Sequence, residues 1–362
     1  MTNEIEELLK NEFNPCKKDK YIPILEKKLS SFFEAKNAIV VSNGTAAIHL
    51  ALASLNIGKG DEVLVPATAV VMSILPVLYQ GATPIFVDCN KDNIDFDYKD
   101  LERKISKKTK AIIPVYLWGC SYDIDKLQRF AKQHGISIIE DACQAFGSKW
   151  DNKFLGTYGT FGCFSMKNGK ILATGEGGFI LTDNNELADR CRLLRNHCTN
   201  IQNPTNSFTE ISWNYRITEM QALVGISNLK DIENKLNIRK KQTKYLYENL
   251  CKEKQLEIYK YYDKEEPNYF SPVFIAKGNK RGIEIAKQLS ANGIINSTGT
   301  FGLMSANKRK VFQNYCNGLV ENDKMNTLKS ERLFQDVIAL SIMENTSIDK
   351  LDEIIKSIKS ML

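Results

Sequence analysis

Short apolar runs alternate with helical patterns through the first half of the chain, and few folds accommodate that rhythm. Seven runs read as strands: Ala38–Val41, Glu62–Val65, Pro84–Val87, Ala111–Val115, Ile136–Glu140, Gly162–Ser165 and Gly178–Thr182. Several are apolar throughout, as strands covered on both faces must be. Between them, Thr45–Leu55 carries Ile48, Ala51, Leu52 and Leu55 at helical spacing. Asp123–His134 is amphipathic and ends at Gly135, a helix stop signal. The alternation predicts a doubly wound α/β domain.

The rhythm changes after Glu219. A long helical stretch, EMQALVGISNLKDIENKLNIRKKQTKYLYENL, contains no proline and one glycine. After it come β-like runs at Leu256–Lys260 and Tyr269–Ile275, a helix near Gly282–Asn292 and a last helix from Asp349, while Asn296–Lys329 is polar and without clear period. A large domain over 1–236, with a helical N-terminal segment, and a smaller C-terminal α+β domain over 237–362 are expected, in keeping with a length of 362 residues.

Charge and cysteine usage narrow the class. Forty-nine Lys+Arg against 43 Asp+Glu give +6, with the charges interspersed, so nucleic acid is not an expected partner. The nine cysteines are scattered, with no CxxC pair, and there are only three histidines and no HExxH, so reduced thiols and no metal site are expected. MTNEIEELLKNEF is acidic and amphipathic, without a signal peptide's apolar core. The longest apolar stretch, Ala69–Leu78, is about half a membrane span. A cytoplasmic protein with no membrane partner is predicted.

Three clusters could carry chemistry. Ser42-Asn43-Gly44-Thr45-Ala46-Ala47 lies between a strand and a helix, where glycine admits an anion and the helix N-terminus supplies N–H groups; it also reads as a simple capped turn. Asp141 and Gln144 follow the apolar strand IIE, at the edge where open α/β sheets bind ligands; Asp141 also reads as a helix cap. Lys170, in SMKNGKILATGEGG, is a candidate nucleophilic amine, against the alternatives of an exposed loop charge or of Lys167 in its place. No P-loop and no GxGxxG occurs, which disfavours a nicotinamide-dependent oxidoreductase. An anion cradle, a strand-end carboxylate and a loop lysine are together what pyridoxal 5'-phosphate requires: a phosphate anchor, a partner for the ring nitrogen and an amine for the aldehyde.

The ordered set VSNGTAAIHLAL, GKGDEVLVPA, GATPIFVD, TKAIIPVYLWG, IIEDACQAFGS, GTYGTFGCFSMKNGKILATGEGGFILT, RLLRNH and WNYRITEMQALVG, spread over Leu25 to Leu236, resembles the DegT/DnrJ/EryC1/StrS sugar aminotransferases, fold-type I pyridoxal-phosphate enzymes. The resemblance implies the aspartate aminotransferase-like fold, a large doubly wound domain with a mixed, mostly parallel seven-stranded sheet and a smaller C-terminal α+β domain. It implies that Lys170 joins the cofactor covalently, Asp141 partners its ring nitrogen, Gln144 lies near its ring oxygen, and Gly44, Thr45 and Ser165 cradle its phosphate. Asn214 of WNYR matches a residue lent to the neighbouring subunit's phosphate site, so a homodimer with shared active sites is implied, with Arg216 as a further pocket residue. Two departures stand out: Val70 occupies the place of the family's ring-stacking aromatic, and NSTGTFGLMSANKRKVF replaces the usual segment before the last helices.

The expected activity is transfer of an amino group from L-glutamate, or glutamine, to a keto-sugar, most simply a nucleotide-linked keto-deoxysugar in polysaccharide biosynthesis. A free keto-cyclitol acceptor of the inosose type is the alternative within the family. A scaffold with this fold and no turnover is the alternative outside it.

Overall fold

The chain buries its apolar strands completely: Ile39, Val40, Val41, Val63, Leu64 and Val65 are inaccessible to solvent. The computed structural model describes residues 2–11, 19–199, 204–252, 254–279 and 281–362. The seven strands form one sheet. In spatial order they are Asn37–Val41, Gly178–Thr182, Phe161–Ser165, Ser137–Asp141, Thr109–Ile112, Glu62–Pro66 and Thr83–Val87. Six run in one direction, and Gly178–Thr182 is antiparallel to both neighbours. That reversal has a local cause. The chain leaves Phe161–Ser165 and re-enters the sheet beside it after residues 166–177, which is a hairpin connection rather than a crossover.

Two boundaries move. The strand expected at Ala111–Val115 is Thr109–Ile112; Pro114 lacks an N–H for the ladder, and only an isolated bridge from Val115 to Asp141 continues it. The long helical stretch is two helices, Glu219–Leu229 and Ile232–Leu250, broken at Lys230–Asp231.

Helices cover both faces of the sheet. Gly44–Ser54 is buried nearly all round, and Ile124–His134 is capped by Asp123 and ended by Gly135 in the left-handed conformation (φ 63°). A second sheet, Leu256–Ile258, Val273–Ala276 and Val337–Ala339, is antiparallel, and its own apolar cluster joins Leu246, Phe274, Ile338, Ile354 and Ile358. Two carboxylates, buried Asp88 and half-buried Glu219, hold segments distant in sequence. Asp88 accepts the N–H groups of Lys329 (2.9 Å) and Ser330 (2.7 Å), so it caps helix Leu328–Asp336 from 240 residues away in sequence. Glu219 accepts the N–H groups of Lys20, Tyr21 and Ile22 and does the same for helix Tyr21–Phe33.

Candidate active site

In a sheet whose strands run mostly one way, the carboxyl ends gather along one edge, and the loops there converge. A cavity of about 500 Å3 opens at that edge, and Gly44, Thr45, Asp141, Gln144, Ser165 and Lys170 all line it. Three stretches that lie far apart in sequence thus face one space. A second cavity of about 700 Å3, between Leu8, Arg195, Arg216 and Met220, contains none of the six.

The cradle is built from a helix start pressed against two strand ends. Asn43 caps the helix, its side-chain oxygen accepting the Ala46 N–H at 2.8 Å. The first-turn N–H groups of Gly44 and Thr45 have no acceptor within the helix, and the positive end of its dipole faces the cavity. Gly44 is required by space: a Cβ there would stand 2.6 Å from Cys143 Sγ and 3.0 Å from Ser165 Cβ. The capped turn is present, and the cap leaves the Gly44 and Thr45 N–H groups available to an anion.

Asp141 is the last residue of its strand and only 4% exposed. Its Oδ1 accepts the Cys143 N–H at 3.0 Å, and its main chain is gripped by Pro114 and Tyr116. No helix follows directly, so Asp141 is not a helix cap. The preceding Glu140 points away from the cavity line and holds the loop behind it. It accepts from the Tyr116 hydroxyl and from the N–H groups of Gly156, Tyr158 and Gly159. Tyr116 is itself a lining residue, so this buried carboxylate supports the cavity wall.

Lys170 sits in the hairpin connection, which is pinned across its neck by Met166 N–H to Gly177 O (2.7 Å), Asn168 N–H to Gly175 O (2.9 Å) and Thr174 N–H to Met166 O (2.8 Å). Lys167 and Lys170 both line the cavity, Lys167 exposed and Lys170 half-buried. The Lys170 Nζ lies 4.7 Å from the centroid of the Phe270 ring, and Arg239 stacks on that ring at 5.6 Å. Arg239 is 1% exposed and paired with Glu344 at 2.5 Å. Burial lowers the Lys170 amine below the ordinary lysine value, with Cys143 and Asp141 opposing the shift. An amine of this kind holds a larger neutral, nucleophilic fraction than a surface lysine.

Val70 also lines the cavity, as the residue before helix Val71–Tyr79, and the aromatic residues around the same space are Tyr116 and Tyr215. Asn214 is exposed and not among the lining residues, and Arg216 donates to Asn196 Oδ1 beside the larger cavity. Helix Glu219–Leu229 is capped by Thr218, so neither residue is spent on its start. Sequence reasoning missed Tyr116, Phe270 and Arg239. Tyr116 stood inside the quoted YLWG run, but Phe270 and Arg239 come from the C-terminal half, where nothing in the spacing points at the cavity. Among the cysteines, Cys16 lies outside the described residues and the other eight are free. No group of three or more metal-ligating side chains occurs among the described residues, and none of their helices is long and apolar enough to cross a membrane.

The chain is similar to the GDP-perosamine synthase of Escherichia coli O157:H7, with 37% identity over 230 residues, 64% of this chain and 63% of that protein. It is also 37% identical over 201 residues to the UDP-N-acetyl-3-dehydro-alpha-D-glucosamine 3-aminotransferase of Acidithiobacillus ferrooxidans, 55% of this chain and 54% of that protein. The match thus spans less than two thirds of these curated relatives. Among solved structures, DesV of S. venezuelae, captured with a ketimine intermediate, superimposes with a TM-score of 0.87 at 26% identity, covering 99% of this chain and 94% of that one. The family model for the DegT/DnrJ/EryC1/StrS aminotransferases matches residues 1–359, and the chain belongs to that family.

Proposed function

We propose that the protein is a pyridoxal-phosphate-dependent aminotransferase that moves an amino group from L-glutamate, or glutamine, to a nucleotide-linked keto-sugar. The observation that carries this reading is the convergence of Lys170, Asp141 and the helix start at Gly44 on one cavity. The cavity suits the cofactor: a helix N-terminus where Gly44 leaves no room for a Cβ, a buried carboxylate, and a half-buried amine of lowered basicity. When bound, pyridoxal phosphate supplies an aldehyde that takes up an amino group and a ring that accepts electron density as the group is transferred.

The chain's own residues do the rest. Gly44, Thr45 and Ser165 hold the phosphate through main-chain N–H groups and hydroxyls. Asp141 would partner the protonated ring nitrogen, and Gln144 would serve the ring oxygen. Lys170 would be the amine that takes the cofactor's aldehyde, and as a neutral amine it would accept and return a proton at its Nζ. Burial serves this step, because a neutral amine accepts a proton and a fully charged one does not. Val70, which lines the cavity, would cover the ring with an aliphatic group. Asn214 serves the phosphate of a second copy, so the working form is a homodimer; its exposure and its place outside its own cavity support this. A division near residue 236 is supported by the separate apolar cluster that begins at Leu246. A cytoplasmic site of action is supported by the eight free cysteines. The nucleotide-linked acceptor is preferred over a free cyclitol because the curated relatives named above act, by their names, on GDP- and UDP-sugars.

The test is incubation with glutamate and a panel of 3-keto and 4-keto GDP- and UDP-sugars, followed by mass. An aminated sugar with wild-type protein and none with Lys170→Ala is expected. Full turnover by Lys170→Ala would refute the assignment.

A further inference from the structure

Trp118 carries its backbone in the left-handed region, at φ 61° and ψ 8°. A bulky residue there is rare and persists only where its surroundings over-determine it. Here they do. The side chain is 1% exposed, its Nε1–H donates to Ser297 Oγ at 3.1 Å, and its ring packs edge-on against Tyr259 and Phe334. Its carbonyl accepts the Ser271 N–H at 3.3 Å. The next residue, Gly119, is at φ 86°, and a Cβ on it would overlap Asn268 Oδ1 at 2.0 Å. Asn268 in turn donates to the Gln144 carbonyl at 2.9 Å, so the turn and Gln144 are held by the same clamp.

The strained turn presents one group: the Trp118 main-chain N–H, which donates to Gln144 Oε1 at 2.8 Å. An N–H has no lone pair, so its partner must be the carboxamide oxygen and never the NH2. We propose that Trp118 is a positioning residue that fixes the Gln144 carboxamide with its oxygen turned to the main chain, so that its NH2 faces the cavity only as a hydrogen-bond donor to an oxygen of the bound cofactor. This rests on the cofactor reading above and deepens it, because it makes Ser297, from the C-terminal half of the chain, part of the cofactor's support.

The test uses the holoenzyme and reads the pH midpoint of the bound cofactor's visible absorption, together with the Kd for pyridoxal phosphate. A donor on the ring oxygen stabilises its anionic form and holds the midpoint down. Ser297→Ala and Trp118→Phe each remove the same indole bond. Both are expected to raise the midpoint by on the order of half a unit and to weaken Kd severalfold, with the double variant no worse than either single. Ser297→Thr is expected to restore the wild-type value. Gln144→Glu keeps an oxygen for the Trp118 N–H but removes the donor, and is expected to raise the midpoint by about one unit. Wild-type protein that forms no visible band overturns the cofactor reading and this proposal with it. A wild-type band with an unshifted midpoint in Ser297→Ala and Gln144→Glu overturns this proposal alone.

Discussion

Replacing Glu140 with Gln tests the support behind the cavity wall. The Glu140 side chain is fully buried and accepts four hydrogen bonds: Oε2 from the Tyr116 hydroxyl (2.6 Å) and Gly156 N–H (2.7 Å), Oε1 from Tyr158 N–H (2.7 Å) and Gly159 N–H (2.6 Å). Burial pushes its carboxyl up, and these donors pull it down. A carboxamide has one acceptor oxygen. With its NH2 in the Oε1 place, two N–H groups are orphaned. In the Oε2 place, the tyrosine hydroxyl reverses and only the Gly156 N–H is orphaned, so the second arrangement wins. The loss is one charge-assisted bond of about 2 kcal/mol and one stranded donor of about 1–2 kcal/mol, offset in part by the cheaper burial of a neutral group. The net is about 2–3 kcal/mol. For a chain of this length that lowers the melting midpoint by about 4 °C in calorimetry. The Tyr116 hydroxyl must turn over in the variant, so pyridoxal phosphate binding is expected to weaken as well. A variant that melts with the wild type would show that the four donors do not depend on the carboxylate, and the argument for Glu140 as the wall's support would fail.

Other substitutions read other links. Gly44→Ala forces Cys143 or Ser165 to move from a Cβ that would stand 2.6 and 3.0 Å away; pyridoxal phosphate affinity, by fluorescence titration, is expected to fall at least tenfold with little change in melting. Asp88→Ala removes the cap of helix Leu328–Asp336 and strands the N–H groups of Lys329 and Ser330, a loss of about 3 kcal/mol expected in urea unfolding. His49 is buried between Tyr215 and Gln80, and burial lowers its imidazole to about 4 from an ordinary 6.5. The unfolded chain therefore binds more protons between those values, so stability falls as pH drops from 6.5 to 4 and levels off below. His49→Gln should flatten that part of a pH–melting profile, and an equally steep profile in the variant would reject the assignment.

Much of the fold was legible because its cause is local. Strands buried on both faces must be apolar throughout, and Ile39–Val41 and Val63–Val65 are. Helix Ile124–His134 announced both ends through Asp123 and Gly135. Boundaries drifted where one residue overrides a run: Pro114 ends a strand that Val115 would extend in composition. The break between Leu229 and Ile232 has no proline or glycine to mark it, and I-S-N-L-K-D-I-E reads as unbroken helix. At the cavity, Gly44, Asp141 and Lys170 were legible because each is the polar punctuation of an apolar strand. Phe270, Arg239 and Trp118 were not, because their roles come from packing across long sequence separations: Arg239 looks like one more charge on a basic helix until Glu344 and Phe270 close over it. The left-handed backbone at Trp118 is invisible in a residue type that nearly never adopts it.

Under the proposed function one amine, that of Lys170, carries the cofactor. The most direct measurement is borohydride reduction of the purified protein loaded with pyridoxal phosphate, followed by proteolysis and mass mapping. A stable phosphopyridoxyl group on Lys170, and none on Lys167, is expected. Label confined to another lysine, or a loaded protein that borohydride leaves unlabelled, would contradict it.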